Sequence, residues 1–146
     1  MGGMGGGMAR TLKLLRAVQL AMLGGIVLYA LAGEVAGPHV RAVDPVLTYF
    51  FTTLAVAIVG TVFVLRRTLV LRSAESLAAH PDDSLSLKHW KTGHIATYAL
   101  CEGLALLGLV LRFLGYNFQQ SLPYYGGAFL LLLFFAPKAP AGSGKE

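Results

Sequence analysis

A chain of 146 residues with 55% hydrophobic and only 13% charged residues has too few charges to cover itself in water, because an ordinary soluble domain carries about 25%. Its formal charge of +5 comes from basic residues at the ends of apolar blocks, the pattern of membrane topology, which argues against nucleic-acid binding. The single cysteine, Cys101, excludes an intrachain disulfide.

The chain opens on MGGMGGGMA, residues 1–9. So glycine-rich a start predicts a flexible terminus, and no strand precedes it as a phosphate-cradling loop requires. Arg10, Lys13 and Arg16 then lead into the first apolar helix, expected over 14–33 and long enough to cross a bilayer. The same opening carries features of a secretory signal, with Ala30-Leu31-Ala32 as a small-residue cleavage site; the length of the apolar stretch favours a retained helix.

Gly37-Pro38 breaks the chain and Pro45 suits the first turn of a second helix, expected over 46–66, uncharged until Arg66-Arg67. Residues 67–91 mix Leu69, Leu71, Leu77, Leu85 and Leu87 with Arg72, Glu75 and Lys88 around the His80-Pro81-Asp82-Asp83-Ser84 breaker. This reads as a helical hairpin outside the bilayer, on the cytoplasmic side. Trp90 and Lys91 mark the membrane boundary, where an amphipathic ring and a long amine belong. A third helix is expected over 93–114 and a fourth over 119–136, entered through Tyr124 and Tyr125 and stopped by Pro137-Lys138. Residues 139–146 read as a disordered tail.

With the N-terminus inside, Arg10, Lys13, Arg16, Arg66, Arg67, Arg72, Lys88, Lys91, Lys138 and Lys145 fall on one side, and Arg41 and Arg112 on the other. The expected fold class is therefore all-α: a polytopic membrane protein of the plasma (inner) membrane, a four-transmembrane-helix bundle with both termini cytoplasmic.

Glu102 sits near the middle of the third helix, too deep for its side chain to reach water. A carboxylate there costs on the order of 3 kcal/mol. Burial disfavours its charged form, which makes Glu102 the candidate proton or ion site. Arg112 cannot neutralise it, since the intervening helix separates them by roughly 15 Å. Tyr98, Thr52, Thr53 and Tyr125 are candidate hydrogen-bond partners. Gly24 and Gly25 on the first helix and Gly126 and Gly127 on the fourth lie at similar depth, while Ala96, Ala99, Gly103 and Gly108 line the third. Such small residues let helices approach closely, so three helices are expected to meet around Glu102.

His80, His89 and His94 cluster on the hairpin or its junction with the third helix. They read as turn and boundary residues, so neither a metal nor a cofactor such as haem is expected. A thiol among apolar neighbours stays protonated, which leaves Cys101 inert.

The run Tyr98-Ala-Leu-Cys-Glu102-Gly-Leu-Ala-Leu-Leu-Gly108-Leu-Val-Leu resembles the ion-carrying helix of the rotary ATP synthase ring subunit, the proteolipid or subunit c. Upstream, Ala78-Ala-His80-Pro81-Asp82 is similar to that family's polar loop, and the resemblance covers roughly 56–113. It implies that Glu102 carries a proton. The chain departs from the family in lacking a glycine repeat over Val46 to Leu65 and in having first and fourth helices that a two-helix subunit does not contain.

The expected function is noncatalytic: a proteolipid-like, proton-handling subunit, or alternatively an accessory subunit packing beside a larger membrane complex with Glu102 protonated and structural. The expected partners are the lipid bilayer and either further copies of the chain or that larger complex.

Overall fold

The computed structural model describes residues 4–80 and 82–139. The outermost parts of the Gly-rich start and of the tail, with Lys145 and Pro81, lie outside the described residues. Among those described there is no strand, and four helices account for the architecture: α1 Met4–Ala36, α2 Pro45–Ala79, α3 Ser84–Phe113 and α4 Phe118–Phe134. The first three are long and apolar enough to cross a membrane. α4 has 17 residues, about 25 Å at the helical rise and short of a full hydrocarbon core.

The helix boundaries follow from capping chemistry. Gly37 donates its N–H to the Gly33 carbonyl as α1 ends. Asp44 caps α2 by accepting from the Val46 N–H, with Pro45 in the first turn, where a missing N–H costs nothing. Asp83 caps α3 in the same way through the Leu85 N–H. α3 ends in a Schellman motif: Gly115 takes φ 97°, and the Gly115 and Tyr116 N–H groups return to the Arg112 and Leu111 carbonyls. Asn117 and Gln120 form a reciprocal capping box at the start of α4.

One boundary differs from the sequence expectation. α1 begins at Met4 within the supposedly flexible glycine stretch, because Met8 and Leu12 pack against the core and carry the helix backward. The hairpin is almost wholly helical: α2 continues through a six-residue π-helical segment, Arg66–Leu71, into Arg72–Ala79. The Thr68 hydroxyl donates back to the Val64 carbonyl there, a bond that competes with the regular helix ladder.

α3 is the hub. α1 runs parallel to it and α4 antiparallel, and these three pack on one another, whereas α2 packs chiefly on α3 and touches the end of α4 through Phe63 and Arg66 against Phe135. A close approach joins α3 to the π-helical segment, where a Cβ on Gly93 would lie 2.8 Å from Val70 Cγ2 and 3.0 Å from Leu69 Cβ. Gly108 plays the same part against α4, within 3.0 Å of Tyr124 Cβ. The exterior is rich in large apolar side chains, among them Val35, Val46, Tyr49, Leu20 and Phe134, an outside that suits hydrocarbon better than water.

Candidate functional site

Glu102 sits half-buried on the flank of α3 that meets α1. Its Oε1 accepts a hydrogen bond of 2.7 Å from the Tyr29 hydroxyl. Gly25, one helical turn before Tyr29, leaves the room: a Cβ there would stand 3.6 Å from the same oxygen. The nearest basic residue on α3 toward its C-terminal end, Arg112, is instead engaged at the helix end, where Nε donates to Glu34 at 2.8 Å. Its NH1 donates to the Pro38 and Tyr116 carbonyls.

The partners expected from sequence are arranged differently. Tyr98 is fully buried and donates its hydroxyl to the Phe135 carbonyl at 3.3 Å. Thr53 is exposed on α2, which does not pack on α1. Tyr125 is buried beside Gly33 and Gly108, toward the Arg112 end, and its hydroxyl has no hydrogen-bond partner. Of the paired glycines only one of each pair faces a neighbour: Gly25 meets Glu102 and Gly127 meets Leu104, while Gly24 and Gly126 face open space. Gly108 is a packing residue as expected, but Ala99 is exposed and Gly103 has nothing within 4 Å. The site is thus built by two helices rather than three. α4 is antiparallel and displaced, and meets α3 on the opposite flank through Gly108 and Leu104.

The residue that sequence reasoning missed is Tyr29. A signal for it exists: Tyr29 lies beyond Arg16, and Glu102 beyond Lys91, by about three to four helical turns each. Two parallel helices that start at the same boundary bring such residues to the same level.

A second polar constellation closes the C-terminal end of α4. The last carbonyls of any helix lack internal partners, and in an apolar setting each costs free energy until satisfied. Gln19, on α1 and 7% exposed, donates to the Leu132 carbonyl at 2.7 Å. Tyr98, on α3, serves Phe135, and the Arg66 guanidinium, on α2, lies 3.9 Å above the Phe135 ring. Each of the other three helices therefore contributes one polar group to the end of the shortest one. His94 fills the space beside them, packed edge-on against Trp90 at 4.8 Å.

Among the described residues no three His, Cys, Asp or Glu side chains converge on a metal-sized site. The chemistry available at Glu102 is that of a carboxyl and a phenol: hydrogen bonding and proton exchange. Compared with known proteins, the chain matches no family model, no curated protein and no solved structure. The likeness to the proteolipid subunit rests on the sequence around Glu102 and at Ala78 to Asp82.

Proposed function

We propose that this is a noncatalytic, multi-pass protein of the plasma (inner) membrane, with four helices in the bilayer and both termini cytoplasmic, in which Glu102 takes up and releases a proton. The observation that carries the reading is the Tyr29 hydroxyl held 2.7 Å from a half-buried carboxyl. A carboxyl in hydrocarbon must be paired or protonated, and no basic side chain forms an ion pair with Glu102 among the described residues. A phenol serves both protonation states, since it donates to the carboxylate and can accept from the acid. The half-exposed flank keeps the group reachable from the membrane side.

The orientation draws support from the charge distribution. Arg10, Lys13, Arg16, Arg66, Arg67, Lys88 and Lys91 gather at the end where α1 and α3 begin. At the opposite end, Arg112 is neutralised by Glu34 and leaves Arg41. Gln19 and Tyr98 let α4 end short of a full span without stranding the Leu132 and Phe135 carbonyls, which suits a fourth membrane helix.

A hydrophobic carbodiimide tests the proton site. Glu102 is expected to be modified in the intact protein, less so as pH rises, and not at all in Glu102→Gln; Tyr29→Phe should move the pH of half-labelling. An unreactive Glu102 at every pH refutes the reading. The accessory-subunit alternative is favoured by one observation, the exposed Gly24 and Ala99 beside Gly103 on the flank carrying Glu102, where another helix could approach closely. In that case Glu102→Gln is tolerated, while Ala99→Leu or Gly103→Leu releases the partner on purification in mild detergent.

A further inference from the structure

α2 and α4 both pack on α3 but not along each other, and between them runs a lateral groove of about 680 Å³. Its walls are apolar, with Val56, Val59 and Leu104 along its length; Thr48, Tyr116 and Gln120 give it one polar end. From Thr48 to Phe63 it follows about 22 Å of helix, more than the roughly 15 Å that one leaflet contributes to the hydrocarbon core.

The polar end also has a cation beside it. Arg41 is exposed, its backbone N–H is bonded to the Gly115 carbonyl at 3.0 Å, and its side-chain stem packs on Gly115, next to Tyr116. Among the described residues Arg41 forms no ion pair. The nearby Asp44 carboxylate is occupied in capping the Val46 N–H. An apolar channel of lipid-tail length, closed at one end by hydroxyls and an amide beside an uncommitted guanidinium, is complementary to an anionic amphiphile.

We infer that the groove between α2 and α4 holds one anionic phospholipid, its acyl chain along Val56 and Leu104 and its phosphate at Arg41. The glycines in the groove wall make this testable without disturbing the helix contacts. A Cβ at Gly60 meets nothing within 4 Å, and one at Gly127 reaches only Leu104 Cδ2, at 3.7 Å. Gly60→Phe with Gly127→Leu therefore fills the groove at two depths, and Gly60→Phe alone is the milder version.

The full chain is reconstituted with equal phosphatidylglycerol and phosphatidylcholine, released into mild detergent and weighed by native mass spectrometry. One retained lipid per chain is expected, with phosphatidylglycerol favoured about fivefold, the preference one basic residue confers at a charged interface. The filled variants should lose that lipid while keeping wild-type helical circular dichroism. Arg41→Gln should keep a lipid but lose the headgroup preference. Leu28→Phe, on an exposed position outside the groove, should behave as wild type. The inference is overturned if the folded filled variants retain the same lipid, if the wild type retains none, or if the wild type emerges as a lipid-free dimer.

Discussion

α2 and α3 are both long and apolar, yet they occupy opposite places in the molecule. The most apolar window of α2 has a mean hydropathy of 2.0 and is 11% buried, whereas that of α3 has a mean hydropathy of 1.7 and is 44% buried. The more hydrophobic helix is the less buried one. In water the reverse would hold, because apolar burial drives folding. Where the surroundings are themselves apolar, burial follows close packing and polar contacts instead. α3 carries those features: Gly93 and Gly108 for close approach, and Thr97, His94 and Tyr98 as buried polar side chains. α2 carries Phe50, Phe63 and Val64, all exposed.

The sharpest way to break this comparison is to enlarge one glycine on each helix. Gly93→Leu forces a side chain into Val70 and the Leu69 Cβ, an overpacking that should cost about 3 kcal/mol. Gly60→Leu on α2 meets open space and should change stability by less than about 0.5 kcal/mol. Denaturant unfolding in mixed micelles measures both. Equal costs at the two positions would mean that α3 is not the hub.

The contrast also explains what could be read from the sequence. Helix ends were legible where they are set locally: Pro45 and the Asp83 cap in the 80–84 breaker act on neighbouring backbone whatever the surroundings. The level of Glu102 was legible too, by counting from boundary charges. Which flank of α3 it occupies was not. That depends on the relative rotation of helices whose surfaces are apolar all round, so no amphipathic stripe announces the inward face. Tyr98 lies one turn before Glu102 but faces α4, Thr53 is exposed, and Tyr125 lies toward the Arg112 end. Tyr29 is the residue that has both depth and direction. The π-helical form of Arg66–Leu71 was hidden for a different reason, because such a segment leaves no periodic signature over so few residues.

Smaller effects are expected at the two polar closures. Arg112→Met removes a guanidinium 11% exposed together with its bonds to Glu34, Pro38 and Tyr116, and should cost about 2 kcal/mol by the same unfolding assay. Glu34→Gln, at a carboxylate 45% exposed, should cost under about 1 kcal/mol. Gln19→Leu leaves the Leu132 carbonyl unserved and should cost about 1 kcal/mol. If Gln19→Leu proved neutral, the end of α4 would be satisfied by water, and that constellation would lie at the headgroup boundary rather than in hydrocarbon.

The smallest effect lies where the chain is wettest, at the turn between α2 and α3. Asp83 accepts from the Ser86 hydroxyl and from the Leu85 N–H. These bonds, the hydroxyl first, hold its carboxyl below the usual aspartate range. A depressed carboxyl pKa means that the folded chain binds the proton less readily than the unfolded one. Its contribution is therefore complete above the unfolded value of about 4, and is lost as pH falls from there through the lower folded value. Asn at this position keeps a capping oxygen but cannot titrate. The melting temperature of Asp83→Asn should thus run parallel to wild type from neutral pH to about pH 5, with the gap closing in more acidic solution. A gap that stayed constant through the acid range would show that Asp83 caps the helix without sensing its own charge.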